Sequence, residues 1–263
     1  VELTDPVVLG GGGAAVVVAT HPLWLKALGI KKPKEQEVKN DKAEVEEYFN
    51  TIGFERWNKI YSDSDEVNKV QLDIRDGHQE TIDTVLQWVD EDDNGVDGKT
   101  VCDLGCGVGS LTIPLAKRGA TVSASDISQS MATEAAARAK SEGVTTASFA
   151  ASDLESVQGS YDTVSCIDVM IHYPTDKMSE MVSHIASLSE NRIFVSFAPK
   201  TPQYVILKKI GELFPGPSKT TRAYLHPEDD VRAALEKAGF QVKRASRATT
   251  SFYFSTLFEA VRV

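Results

Sequence analysis

The stretch "VCDLGCGVGS", Val101 to Ser110, decides the fold. An apolar run closes on Asp103 and Leu104. Gly105, Gly107 and Gly109 then alternate with other residues, and a segment of helical spacing opens at Ser110. Glycine is required where a chain turns sharply from strand to helix and where a ligand must lie against the backbone with no Cβ in the way. A dinucleotide fingerprint reads G-x-G-x-x-G. Here the third glycine comes one residue early, which disfavours a nicotinamide-binding domain and suits a ligand without a pyrophosphate.

Working outward, strands and helices alternate from Lys99 onward, as in a parallel sheet with crossover helices. The strands read "TVCDLG", "TVSASD", "SFAAS", "YDTVSCIDV" and "RIFVSFA", with helices near Ser110 to Arg118, Ser128 to Glu142 and Lys177 to Leu188. In open sheets of this kind ligands bind outside the carboxyl ends of the strands. Asp126 ends the second strand, where a carboxylate can accept hydrogen bonds from both hydroxyls of a ribose. Asp153 ends the third, placed to meet an adenine amino group, with Ile127 and Leu154 offering apolar contact to the ring. Acids at three strand ends, Asp103 included, suit a nucleoside that carries positive charge elsewhere. Glycines that served only as tight turns would not call for the two spaced acids.

The flanks complete the organisation. Residues 1–40 read as an apolar, glycine-rich arm and charged linker: the apolar run Val7 to Ala19 is shorter than the roughly 20 residues of a spanning helix. A monotopic membrane contact and a poorly ordered arm are both open for it. Residues 41–95 read as a helical cap rich in aromatics, closing with an amphipathic helix from Gly77 that carries Ile82, Val85, Leu86 and Val89 on one face. Residues 96–263 form the core, with a basic, proline-rich insertion at about 201–226, a helix from Pro227 to Gly239, and two closing strands that form an antiparallel hairpin. The expected fold is α/β: a Rossmann-like, seven-stranded, mostly parallel sheet with a C-terminal antiparallel hairpin and an N-terminal helical cap. A net charge of -10 leaves no broad basic face for nucleic acid. Cys102, Cys106 and Cys166 offer no CxxC pair, so neither a zinc site nor a disulfide framework is indicated, and the compartment reads as reducing.

The glycine triad with its two spaced acids resembles the class I S-adenosylmethionine-dependent methyltransferases. The flanks "VEEYFNTIGFERWNKIYSD", "EVNKVQLDIRDGHQETIDTVLQW", "IDVMIHYP" and "LFPGPSKTTRAYLHPEDDV" are similar to the plant form of the magnesium-protoporphyrin IX methyltransferases, from about Val45 to Val263. The resemblance implies methyl transfer from S-adenosylmethionine to one propionate of Mg-protoporphyrin IX, giving the monomethyl ester of chlorophyll biosynthesis. It also implies a chloroplast setting at thylakoid and envelope membranes, peripheral membrane association, and coupling to magnesium chelatase. The cofactor-binding set is then Asp103, Gly105, Gly107, Gly109, Asp126, Ile127, Asp153, Leu154 and Asp168, the last touching the methionyl part or only capping a strand end.

A propionate is already anionic at neutral pH, with a pKa of about 4 to 5, so it needs no general base. The work is to strip water from the carboxylate and aim one oxygen at the methyl carbon; such positioning supplies about 7 to 11 kcal/mol. His172, at the expected carboxyl end of strand four, lies where burial and the sulfonium both favour neutral imidazole, a donor that can orient the carboxylate. Axial contact to the porphyrin magnesium and a purely structural histidine are the other readings. Tyr61, in "NKIYSD", is the candidate partner from the cap. Tyr48 and Trp57 are either apolar walls for the macrocycle or cap packing, and Lys219 and Arg222 either receive the second propionate or are merely solvated. Cys102 and Cys166 read as core, Cys106 as a loop thiol that can report cofactor occupancy, and His78 and His226 as helix-start residues. Two further functions compete: an O-methyltransferase for a phenolic or quinone-like molecule, with His172 as a true base, and a non-catalytic porphyrin carrier.

Overall fold

Val101 on one face of β1 (Thr100–Leu104), and Cys102 and Leu104 on the other, are buried because both faces of this interior strand are packed into hydrophobic cores. In the computed structural model, which describes residues 41–61, 67–93, 95–205 and 224–263, Val101 pairs with Val122 of β2 (Thr121–Asp126) and, on the other side, with Thr163 of β4 (Tyr161–Cys166). Adding β3 (Ala147–Ala151), β5 (Ser189–Phe197), β6 (Phe240–Thr249) and β7 (Phe254–Arg262) gives seven strands in the order β3-β2-β1-β4-β5-β7-β6. The first five are parallel; β7 runs antiparallel between β5 and β6. The chain fills one side of β1 with β2 and β3, then crosses to the other with β4. This reversal opens a crevice at the carboxyl ends of β1 and β4, which is where doubly wound sheets place their ligands.

The sheet is covered on both faces. Along β5, Ile193 and Val195 point into a core built with Met181, Ile185 and Leu235, while Phe194 points into the opposite one with Val85, Val89 and Leu115, as the two-residue strand period requires. Met181 and Ile185 belong to α6 (Met178–Leu188), Leu235 to α7 (Glu228–Lys237), Leu115 to α4 (Thr112–Lys117) and Val85 and Val89 to α3 (Lys69–Asp90). Between β2 and β3 lies α5 (Gln129–Ser141), whose N-cap Ser128 accepts from Met131 N at 3.2 Å. No described helix is long and apolar enough to cross a membrane.

Two sequence expectations change. The amphipathic helix starts at Lys69 rather than Gly77, opened by a capping box between Asn68 and Gln71, and its apolar face belongs to the core. What caps the crevice is a pair of short helices, α1 (Asp41–Asn50) and α2 (Ile52–Ile60). The fourth strand stops at Cys166; Asp168 takes φ 59°, the left-handed conformation, and a 3-10 turn, Met170–His172, follows. The arm, most of the 201–226 insertion, and with it Lys219 and Arg222, lie outside the described residues.

Toward the amino end of β5, Arg192 and Glu259 sit buried in one charge network. Arg244 Nε donates to Glu259 at 2.5 Å, and Arg192 donates to Asp92 at 3.1 Å and to Gly95 O at 2.9 Å. Removing one member of a buried pair strands the other's charge, so Glu259→Ala should lower unfolding free energy by about 3 kcal/mol, read from urea midpoints. Because the network lies away from the crevice, ligand binding there should hold at temperatures where the variant stays folded.

Candidate active site

The crevice is a cavity of about 700 Å³, within the range of about 300–1,000 Å³ typical of small-molecule sites. Its floor is the glycine loop. Gly105 (φ 74°) faces Val169 so closely that a Cβ there would overlap that side chain, and Gly107 (φ 54°) leaves open space where a Cβ would stand. Gly105, Gly107, Asp126, Ile127 and Leu154 all line the cavity. Asp126 accepts from Gly107 N and from Ser128 N, both at 2.9 Å, which ties the loop to the end of β2. Burial pushes its carboxyl above the usual range, those two donors oppose the rise, and neighbouring Asp103 adds to it.

Three of the expected cofactor residues stand behind the wall instead. Asp103 is buried and accepts from Thr112 Oγ1 at 2.5 Å and Ser165 Oγ at 2.7 Å, so it fastens β1 to α4 and β4. Burial holds its carboxyl above the ordinary range. Gly109 (φ 88°) supplies the turn into α4 against Ile113. Asp153 caps a 3-10 turn through Glu155 N at 3.3 Å, between Ser152 and Leu154, which do line the cavity.

The cap contributes an aromatic rim. Trp57 and Tyr61 line the cavity, with ring centroids 5.4 Å apart, and Phe49 meets the edge of His172 at 5.3 Å. Tyr48 is buried inside the cap against Phe49 and Gly53, so of its two readings the packing one describes its place. His172 ends the 3-10 turn after β4, with Nδ1 enclosed and without a hydrogen-bond partner. Burial lowers its pKa to about 4, with Asp168 pulling the other way, so the ring is neutral at physiological pH. Tyr61 is pushed well above the ordinary phenol range by burial, with Asp168 and Asp126 adding to the rise, and remains a protonated donor.

Asp168, expected in the cofactor set, does line the cavity, but its partners were not legible in the sequence. Asp168 Oδ2 accepts from His78 Nδ1 at 2.7 Å, Oδ1 from Ser196 Oγ at 2.9 Å, and both oxygens from the Tyr253 hydroxyl at 2.8 and 2.9 Å. Desolvation alone would raise the Asp168 pKa, but these donors hold it below the ordinary range, so it is a half-buried carboxylate on the cavity wall, tied to three protein donors. His78 is therefore no helix-start residue; it lies inside α3, on the face of Ile74 and Ile82, and that periodicity was the available signal. His226, directly before α7, stands where expected, buried with Nε2 2.9 Å from Met170 O. Gly77 has its reason in Tyr253, whose ring a Cβ would overlap. Cys106 lines the cavity, and burial raises its thiol pKa; Cys102 and Cys166 are core.

This sheet order, with its glycine loop, strand-end acid and capped crevice, is that of the class I S-adenosylmethionine-dependent methyltransferase fold. A general methyltransferase domain profile matches residues 101–191, and the profile "Magnesium-protoporphyrin IX methyltransferase C-terminus" matches residues 166–262. The chloroplastic magnesium protoporphyrin IX methyltransferase of Arabidopsis thaliana is 52% identical over 99% of this chain and 84% of its own length. Crystal structures of magnesium protoporphyrin IX methyltransferase from Synechocystis PCC 6803, each covered in full, align with TM-scores of 0.78 (bound SAH, 50% identity, 84% of this chain) and 0.76 (bound SAM, 45% identity, 87%). The chain belongs to the magnesium-protoporphyrin IX methyltransferase family.

Proposed function

We propose that this protein transfers a methyl group from S-adenosylmethionine to one propionate of Mg-protoporphyrin IX in chlorophyll biosynthesis, forming the monomethyl ester. The observation that carries the reading is a single cavity joining the glycine loop and Asp126 to His172 and Tyr61 beneath an aromatic rim. S-Adenosylmethionine, when bound, supplies an electrophilic methyl on a sulfonium. Asp126 keeps acceptor capacity beyond its two backbone donors and is the residue to hold the ribose; Ile127 and Leu154 flank the base, and the glycine loop carries the remainder. Asp168, on the cavity wall and held by His78, Ser196 and Tyr253, contributes fixed negative charge toward a cation.

His172 and Tyr61 are assigned to the acceptor. Each is a neutral donor at neutral pH, and each can fix one oxygen of the propionate while the apolar walls exclude water. Trp57 is the wall residue for the macrocycle; Lys219 and Arg222 are assigned to the second propionate on sequence grounds alone. A phenolic acceptor would need a base, and an imidazole with a pKa of about 4 is a poor one at neutral pH, which favours the carboxylate.

The reading extends to the chloroplast, in keeping with the relative named chloroplastic, and more finely to thylakoid and envelope membranes with magnesium chelatase nearby. Membrane fractionation and co-purification test the finer part. The activity test is incubation with S-adenosylmethionine and Mg-protoporphyrin IX, or the metal-free porphyrin, followed by mass spectrometry. A gain of one methyl supports the assignment; no gain with either porphyrin overturns it, and porphyrin binding without transfer points to a carrier.

A further inference from the structure

The Tyr61 backbone is fixed by the cap and by α5: its carbonyl accepts from Arg138 at 2.8 Å. Its ring packs on two partners, Trp57 with centroids 5.4 Å apart at 31° and His78 at 4.4 Å and 37°. Trp57 lies one turn back on α2, which Tyr61 caps by donating from its N to Trp57 O at 2.9 Å, so Trp57 travels with Tyr61 and cannot set Tyr61 relative to the glycine loop. His78 can, because it stands on α3, whose apolar face is packed into the core.

The His78 ring is itself held with unusual firmness. Its Nδ1 donates to Asp168 at 2.7 Å, and Asp168 is clamped in turn by Ser196 of β5 and by Tyr253 at the β6–β7 turn. Tyr253 is locked by the Gly77 notch that receives its ring and by Thr81 Oγ1, 2.9 Å from its hydroxyl. That turn is pinned to α3 once more, Phe252 N donating to Asp73 at 2.5 Å. Helix, strand, post-strand loop and hairpin thus converge to fix the plane and height of one imidazole beneath the cap's tyrosine.

We propose that His78 is a positioning residue for methyl transfer, its ring face serving as the platform that registers the Tyr61 hydroxyl over the acceptor site. The inference rests on the role assigned to Tyr61 above. His78 also lines the cavity, and the platform is the part of its effect that runs through Tyr61, since misplacing a group by about 1 Å costs on the order of 10²-fold in rate.

Three single variants and one double variant test this, with kcat on Mg-protoporphyrin IX and calorimetric affinity for S-adenosylmethionine as readouts. His78→Asn keeps a donor for Asp168 and removes the ring; kcat should fall by about 10- to 100-fold with cofactor affinity within about threefold. His78→Phe keeps the ring but loses the bond to Asp168 that clamps it; kcat should recover only in part, to at least about threefold above that of His78→Asn. The double variant His78→Asn/Tyr61→Phe should be no more than about threefold slower than Tyr61→Phe alone, since the platform has no hydroxyl left to place. A His78→Phe enzyme as slow as His78→Asn, additive losses in the double variant, an unaffected His78→Asn, or cofactor affinity falling in step with kcat each overturn the platform role. If Tyr61→Phe is itself as fast as the parent, the assignment of Tyr61 falls and the platform with it; a slow Tyr61→Phe with additive losses removes the platform alone.

Discussion

Replacing His172 with alanine should lower kcat by about 10²- to 10³-fold while leaving affinity for S-adenosylmethionine within about threefold, the pattern of a lost transition-state donor. The ring lines the cavity, its Nδ1 is enclosed, and it touches neither the glycine loop nor Asp126 by hydrogen bond, so cofactor binding has little to lose. Its pKa of about 4 fixes the sign of the pH dependence. A histidine lowered from its ordinary value stays neutral as pH falls from 8 to 6, so parent activity should be nearly flat across that interval and decline only as pH approaches the titration of the ring and of the propionate itself. Steady-state rates across pH, with calorimetry for affinity, measure both effects. A rate that falls tenfold per pH unit between 7 and 6 would assign His172 the role of a base instead.

Asp126→Ala should raise the dissociation constant for S-adenosylmethionine by about 10²-fold. Two effects add. A charged acceptor for two hydroxyls is worth on the order of 1.5–3 kcal/mol per bond, and each 1.4 kcal/mol is tenfold in affinity. Asp126 also takes the Gly107 and Ser128 amide protons at 2.9 Å, so its loss loosens the loop that must cradle the ligand. Asp126→Asn retains the size and one acceptor oxygen, and its loss of affinity should be smaller. At saturating cofactor kcat should be far less affected than KM. An unchanged dissociation constant in Asp126→Ala would remove this residue from the cofactor site. Together the two variants separate the halves of the cavity: one loses rate, the other affinity.

The parts of the site that are local in sequence were legible in it. Gly105 and Gly107 are dictated by a strand-to-helix turn within a few residues, and Asp126 by its place at the end of the next strand, so spacing alone located them. His172 is conspicuous as a histidine after an apolar run, and it lines the cavity, although its strand ends earlier than periodicity indicates: Asp168 adopts a left-handed conformation that no pattern of apolar residues announces. Asp103 and Asp153 show the limit of the same reasoning. Both stand at strand ends, but Asp103 turns inward to Thr112 and Ser165, and Asp153 turns to cap its own loop.

The sequence by itself determined the layered α/β fold, the glycine loop and the acid that partners it, because each is set by contacts between residues near one another in the chain or by a periodicity that repeats. Only the tertiary structure decided how Asp168 is used. Its partners His78 and Tyr253 lie 90 and 85 residues away, and Ser196 lies 28 away on another strand. A partly desolvated carboxylate is held charged where donors converge on it, and convergence of a helix, a strand and a hairpin turn on one point is a property of the packed chain. The same holds for Gly77, an ordinary helix-weakening residue in the sequence, which the fold makes necessary by laying the ring of Tyr253 against it.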